Sequence, residues 1–235
     1  MLNTHQEHFT QEKLKGVDLL IIANAMVDKD KTSAFLKEEI LVLNEWIKKG
    51  ESLLLITDHD PFGSAASELA KSLGVGMASV WTVDTLRVNK AIGKNTWLEY
   101  NRENGGLGQH SILRIDKPGS AVNRVITFTG QSLSYDSTWK SILQLSESAQ
   151  NYYERSDAKS LSSDPSTSYS VPGQSQLIAC DYGDGRIVIA GEAAMFTTQE
   201  VRIFFKTYRG GFDYDGYDNK QFVLNIIHWL LFKID

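Results

Sequence analysis

The stretch SLLLITDHDPFGSAAS, residues 52–67, decides the fold. An apolar run stops at Asp58, His59 and Asp60, and the small residues after Pro61 suit a helix. A buried strand that runs straight into a helix implies a parallel α/β arrangement, because parallel strands need helical crossovers. In such a sheet the carboxyl ends of the strands gather along one edge, where loops and helix starts converge on a crevice. The pattern predicts a strand over 53–57, a ligand-facing edge at 58–60, and a helix from Asp60-Pro61 to about Leu73, stopped by Gly74. Asp60 is expected to accept the orphan amides of that helix, with proline tolerated at its first position.

Working outward, VDLLIIA (17–23) reads as a strand buried on both faces and ending at Asn24. Leu36, Ile40, Leu43 and Ile47 repeat at helical spacing, with Thr32 or Ser33 as cap and Gly50 as stop. Residues 81–88 and 123–129 alternate like strands, and the Gly-rich ENGGLGQH (103–110) between them reads as loop. The Ser-rich segment 155–175 reads as a mobile surface loop. Segments 176–181 and 186–190 flank Tyr-Gly-Asp-Gly, the composition of a tight hairpin. The last core strand is expected to end at Gly191-Glu192, and a glycine- and aromatic-rich loop (208–217) to lead into a closing helix. There Asp218 and Gln221 resemble a capping box, with Phe222, Ile226 and Leu230 facing the core.

With 235 residues, 42% hydrophobic and 23% charged, the chain is globular in composition and is expected to form one domain spanning 1–235, with 1–16 poorly ordered or rearranged. A net charge of −5 without a Lys/Arg cluster argues against a nucleic-acid partner. No segment has the length of apolar residues a membrane helix needs and the first residues lack an apolar signal core, so the reading is a cytoplasmic protein with no membrane partner. Cys180 is the only cysteine, which excludes an intramolecular disulfide and a thiolate metal cluster.

The chemistry-bearing candidates lie at the predicted edge. Asp58, His59 and Asp60 offer oxygen and imidazole donors for a metal or for acid/base work, although adjacent residues point in different directions and rarely chelate one ion. Glu192 is expected on the same edge, either as a ligand contact or as a buried carboxylate pinned by amides. With Asn24, Phe62 and Met195 these residues form the candidate ligand-binding set. Asp58, His59 and Glu192 are also the candidate catalytic and metal-binding residues, the metal a divalent ion such as zinc. His110 reads as a surface or hinge histidine and His228 as a packing histidine. Asp213, Asp215, Asp218 and Asn219 have the oxygen density of a calcium loop without its spacing. Tyr208, Phe212, Tyr214 and Tyr217 would suit either a stacking surface or loop packing. Cys180 falls inside a hairpin strand, away from any elbow, and Gly-x-Ser-x-Gly is absent, so cysteine and serine nucleophiles are not indicated.

DLLIIANA (18–25), SLLLITDHDPFGSAASELAKSLGV (52–75), GQHSI (108–112), FTGQSL (128–133), YGDGRIVIAGEAAMFTTQ (182–199) and DNKQFVLNIIHWL (218–230) together resemble an uncharacterised bacterial branch of the class I glutamine-amidotransferase-like domains, relatives of the trehalose-utilisation type. The resemblance implies a flavodoxin-like three-layer sandwich around a mostly parallel sheet. Amidotransferases of this class carry an elbow cysteine and a later histidine-glutamate pair; the corresponding stretches here are 58–63 and 191–196, with no cysteine at the elbow and no histidine after the last strand, so glutaminase chemistry is not implied. Relatives also begin with a further strand and helix. Either the start is truncated or the sheet lacks its usual first strand, whose absence a second subunit or a rearranged amino terminus must make good.

Three functions follow as expectations. The first is a noncatalytic module binding a small polar ligand, a carbohydrate among them, or a protein partner at the strand edge. The second is a metal-dependent hydrolase using Asp58, His59 and Glu192. The third is a structural partner domain in a homo-oligomer.

Overall fold

The computed structural model describes residues 7–27, 31–114, 119–203 and 206–234. The first half runs β1 (Leu19–Ala23), α1 (Lys37–Lys48), β2 (Ser52–Ile56), α2 (Phe62–Ser72), β3 (Gly76–Met77), β4 (Trp81–Asp84), β5 (Trp97–Asn101), β6 (Arg124–Phe128) and β7 (Leu133–Ser134). It continues with β8 (Lys140–Gln144), β9 (Ala149–Tyr152), α3 (Arg155–Ser160), β10 (Ser168–Ser170), β11 (Ser175–Tyr182), β12 (Gly185–Ala190), β13 (Thr198–Ile203), β14 (Lys206–Gly211) and α4 (Asn219–Leu230).

The main sheet has the order β1-β2-β12-β11-β7-β3, with β8 also paired to β11. Both β1 and β12 run parallel to β2, while β11 pairs antiparallel with β12, β7 and β8, and β3 antiparallel with β7. Among the described residues three small antiparallel sheets accompany it: β10-β9-β4, β13-β14 and β5-β6.

This corrects the expected flavodoxin-like sandwich. Only β1, β2 and β12 keep the parallel order; the rest of the sheet is antiparallel, and the fold is mainly β. The reason lies in the middle of the chain. Between α2 and α4 the one α-helix among the described residues is the six-residue α3. Parallel strands need long crossovers, so this helix-poor stretch folds back through hairpins instead.

Neighbouring residues of β2 point to opposite faces, which splits the core in two. Leu53 and Leu55, with Ile187 and Ile189 of β12, meet Ile40, Leu43 and Ile47 of α1 and Leu69 and Ala70 of α2. Leu54 and Ile56, with Val188, meet Phe222, Ile226 and Leu230 of α4 and Leu98, Tyr100 and Ile126 of the β5-β6 ribbon. Each of these large side chains contributes about 1.5–3 kcal/mol by leaving water.

Several local expectations are revised. β1 is an edge strand in which only Ile22 is buried, not a strand covered on both faces. α1 begins at Lys37, where Glu39 reaches back to accept from the Leu36 amide at 2.8 Å, while Ser33 accepts from Phe35 outside the helix. The Asp218–Gln221 capping box is absent, because Asp218 Oδ2 accepts from the amides of Asn123 and Arg124 and Gln221 bonds to Asn225. The segment after Glu192 holds the β13–β14 hairpin, and 155–175 holds α3 and the strand β10. The hairpin read around Tyr-Gly-Asp-Gly is present as β11–β12, with Tyr182 opposite Gly185. Of the expected rearranged start, residues 1–6 lie outside the described residues, and Leu14 is buried against the α1–α2 side of the sheet.

Candidate functional site

Because β1, β2 and β12 are parallel, Asn24, Asp58 and Glu192 leave the sheet along one edge. Thr57 donates its amide to the Ala190 carbonyl at 2.9 Å, so the ladder between β2 and β12 continues past Ile56 to the place where the two chains part. Gln131, from the turn between β6 and β7, then ties both strand ends together. Its amide donates to the Gly191 carbonyl at 2.7 Å, and its side-chain Nε2 donates to the Asp58 carbonyl at 2.7 Å and the Thr57 carbonyl at 3.3 Å. Its Oε1 accepts from the Ser79 amide at 2.7 Å.

Asp58 and His59 form the open part of this rim. The Asp58 amide donates to Asn24 Oδ1 at 2.9 Å, an arrangement that uses the left-handed backbone of Asn24 (φ 45°). Asp58 Oδ1 accepts from the His59 amide at 2.8 Å and lies 3.7 Å from His59 Nε2, with 18% and 23% of the two side chains exposed. His59 Nδ1 bonds to the Asp60 carbonyl at 2.9 Å, and the imidazole packs on Trp81 with ring centroids 4.6 Å apart. Burial raises the Asp58 carboxyl above its ordinary range, and the charges of His59 and of Arg155 on α3 pull it back down.

Asp60 is exposed and does not cap α2. Its side chain takes the Ser64 hydroxyl, its amide turns to the Ser79 carbonyl, and Pro61 stands at the cap position with the His59 carbonyl accepting from the Phe62 amide. Phe62, the first residue of α2, is half-buried.

Glu192 lies behind the rim with no exposed surface, so it is the pinned carboxylate rather than a surface ligand contact. Its oxygens accept from the Ala194 amide at 2.7 Å and the Met195 amide at 2.9 Å, at the start of a one-turn helix over Ala194–Phe196. Burial, reinforced by the Asp58 carboxyl, pushes Glu192 up to about 8. Met195 is likewise fully buried, in the core beneath α4, and offers no surface to a ligand.

The sequence reading missed the supporting shell. Besides Gln131 and Trp81 it includes Gln176, whose Oε1 accepts from Tyr100 Oη at 2.8 Å and Thr127 Oγ1 at 2.7 Å. The backbone at Gly130 passes so close that a Cβ there would fall 2.6 Å from the Gly191 carbonyl and 2.9 Å from Gln176 Nε2. Gln176 Nε2 and Trp81 Nε1 are buried donors without a hydrogen-bond partner among the described residues. The one available signal was the glutamine in FTGQSL, which periodicity alone cannot place.

Among the described residues no three His, Cys, Asp or Glu side chains come together as a metal-ion set. Asp58, His59 and Glu192 therefore do not form the proposed metal centre: Glu192 faces its own amides, and Asp58 is occupied with His59. The calcium-loop reading fails for a similar reason, since Asp218 holds Asn123 and Arg124 and Asn219 pairs with Ile126 through both amide atoms. Tyr214 and Tyr217 pack on each other, with Tyr214 edge-on to Trp97 and Phe128, which is the loop-packing alternative; the side chain of Tyr208 lies outside the described set. His110 is no surface hinge. It accepts from the Ile112 amide at 3.2 Å, meets Trp229 edge-on at 4.9 Å, and is driven by burial down to about 4. His228 is exposed instead of packed. Cys180 is buried, and burial pushes its thiol up to about 12, so it is no nucleophile. Among the described residues no helix is long and apolar enough to cross a membrane.

No family model matches the chain, and no curated protein matches it. Among solved structures, the mmIFT52 N-terminal domain is similar with a TM-score of 0.64 at 17% identity, over 97% of this chain and 83% of that one. The Salmonella typhimurium LT2 cytoplasmic protein STM1381 scores 0.46 at 13% identity, over 94% and 76% of the two chains. A thua-like protein from Bacteroides uniformis scores 0.42 at 11% identity, over 93% and 71%. The first likeness is one of fold; the other two score too low to add to it.

Proposed function

We propose that this chain is a noncatalytic glutamine-amidotransferase-like module that binds a small polar ligand, a carbohydrate among the candidates, at the rim made by Asp58, His59 and Trp81. The observation that carries the reading is the pairing of two partly exposed polar side chains, Asp58 and His59, the imidazole packed on the Trp81 ring, at the carboxyl edge of parallel strands. The support beneath them is rigid: Gln131 and Asn24 fix the Asp58 backbone from two sides. Two buried donors, Trp81 Nε1 and Gln176 Nε2, add unmet hydrogen-bonding capacity in the surrounding shell.

Neither the thiol nor the rear carboxyl is placed to attack a ligand at the rim, which supports binding without turnover. The thiol is buried at Cys180, and the carboxyl at Glu192 is sealed from solvent. A panel of neutral and acidic saccharides, titrated calorimetrically, tests the reading. At least one member should bind, and Asp58→Ala and His59→Ala should each weaken it about tenfold or more while the protein keeps its native circular dichroism spectrum. Binding that ignores both substitutions, or no binding across the panel, would overturn it.

A further inference from the structure

Beside the rim stands a group of cations that the Asp58–His59–Trp81 site does not use. Ala158 of α3 is fully buried in a small core with Val83 and Tyr152, and the Trp81 indole, which also carries His59, packs against that core. Arg155 and Lys159 of the same helix are exposed and four residues apart, so they are neighbours on one helix face. Asn95 ties a third cation to them. Its side-chain Nδ2 donates to the Lys159 carbonyl at 2.8 Å, next to Lys94, whose Nζ lies 4.1 Å from the centre of the Trp97 ring.

Like charges four residues apart destabilise a helix, so this pair is not there for the sake of α3. Among the described residues neither Arg155 nor Lys159 forms a salt bridge, and Asp157, which lies between them in sequence, acts on Tyr152. Burial, together with the charges of Lys159 and Arg155, pushes the Lys94 ammonium below its ordinary range, which places the three cations within each other's field. The charge of Arg155 also reaches Asp58. The cluster and the rim therefore border one another.

Resting on the reading of Asp58, His59 and Trp81 as a ligand rim, we propose that the ligand carries a phosphomonoester held by Arg155 and Lys159, with Lys94 beside them, while the rim holds its uncharged part. The guanidinium fork of Arg155 fits the paired oxygens of a phosphate or a carboxylate. A phosphomonoester, with about two negative charges at neutral pH and three acceptor oxygens, can engage more than one cation at once. A carboxylate would leave most of the cluster unmet. The net charge of −5 speaks against a nucleic acid as the source of the phosphate and for a small molecule.

Nuclear magnetic resonance titration of the full chain with inorganic phosphate, glucose 6-phosphate and glucose tests the assignment. Inorganic phosphate is expected to shift the Asn95, Arg155 and Lys159 amides saturably at millimolar concentration, and glucose 6-phosphate to bind at least about tenfold more tightly than glucose. The double variant Arg155→Gln, Lys159→Gln should weaken both phosphate-bearing probes about tenfold or more and leave the response to glucose unchanged. Both side chains are exposed, so its circular dichroism should be that of wild type. Added salt should weaken the phosphate-bearing probes selectively. If the double variant abolishes glucose 6-phosphate binding while Asp58→Ala leaves it untouched, the phosphate assignment holds and the rim reading falls. If glucose 6-phosphate binds no better than glucose, or the double variant binds both phosphate-bearing probes as wild type does, the phosphate assignment is overturned, whatever the rim holds.

Discussion

The side-chain amide of Gln131 donates to the main-chain carbonyl of Asp58 at 2.7 Å, while its own backbone amide holds the Gly191 carbonyl at the same distance. One buried residue thereby spans the ends of β2 and β12. Gln131→Ala would leave the Ser79 amide and the Asp58 carbonyl without their partner. We expect a loss of about 1–3 kcal/mol in denaturant unfolding and weaker ligand binding at the rim. A loss below about 0.5 kcal/mol would show that the clamp carries no weight.

Glu192 should make stability depend on pH. Its folded value of about 8 stands above the ordinary 4.5, so its favourable contribution is complete below 4.5 and is lost as pH rises to about 8. The raised Asp58 carboxyl acts in the same direction. Glu192→Gln should flatten this part of the stability profile and unfold later than wild type at alkaline pH. Chemical denaturation across that window checks it; parallel profiles for the two proteins would contradict the assignment. Glu192→Ala, by contrast, should destabilise at every pH, because it empties a fully buried position and frees the amides of Ala194 and Met195.

His110 works with the opposite sign. Its folded value of about 4 lies below the ordinary 6.5, so the neutral ring stabilises the fold above 6.5 and that contribution is lost as pH falls toward 4. Nuclear magnetic resonance titration of the ring should show no protonation until the fold itself is strained by acid. His110→Ala should cost about 1–2 kcal/mol, from the lost acceptor for Ile112 and the lost edge contact with Trp229.

Cys180 should be silent toward thiol reagents in the native protein. Its side chain is buried and its thiol stays protonated up to about 12. Ellman's reagent is expected to react only as denaturant opens the β11–β12 hairpin, so the labelling rate should follow unfolding. Rapid stoichiometric labelling under native conditions would refute this burial.

How much of this was legible in the residues depends on where periodicity was strong. The buried strand at 52–56, the helices at 37–48 and 62–72, the hairpin around Tyr-Gly-Asp-Gly and the core face of α4 all follow from local pattern, and so does the edge occupied by Asp58, His59 and Glu192. The middle of the chain does not. β7 and β3 are two residues long, and β8 joins β11 through register shifts, so long-range pairing rather than repeat defines them. Glu192 was correctly placed in sequence but not in depth: whether a strand-end carboxylate faces solvent or its own amides is set by the turn that follows, here Ala194–Phe196. Asp60 shows the same limit, since the Ser64 hydroxyl and the Ser79 carbonyl outcompeted the expected cap.

Leu54 pairs with Val188, so the two strands that carry Asp58 and Glu192 come from opposite ends of the sequence. The rim is consequently a non-local product of folding, closed only after everything between those strands has been made and sorted. A nascent chain still short of Ala190 cannot possess it. Any misfolding of the intervening hairpins would erase the rim.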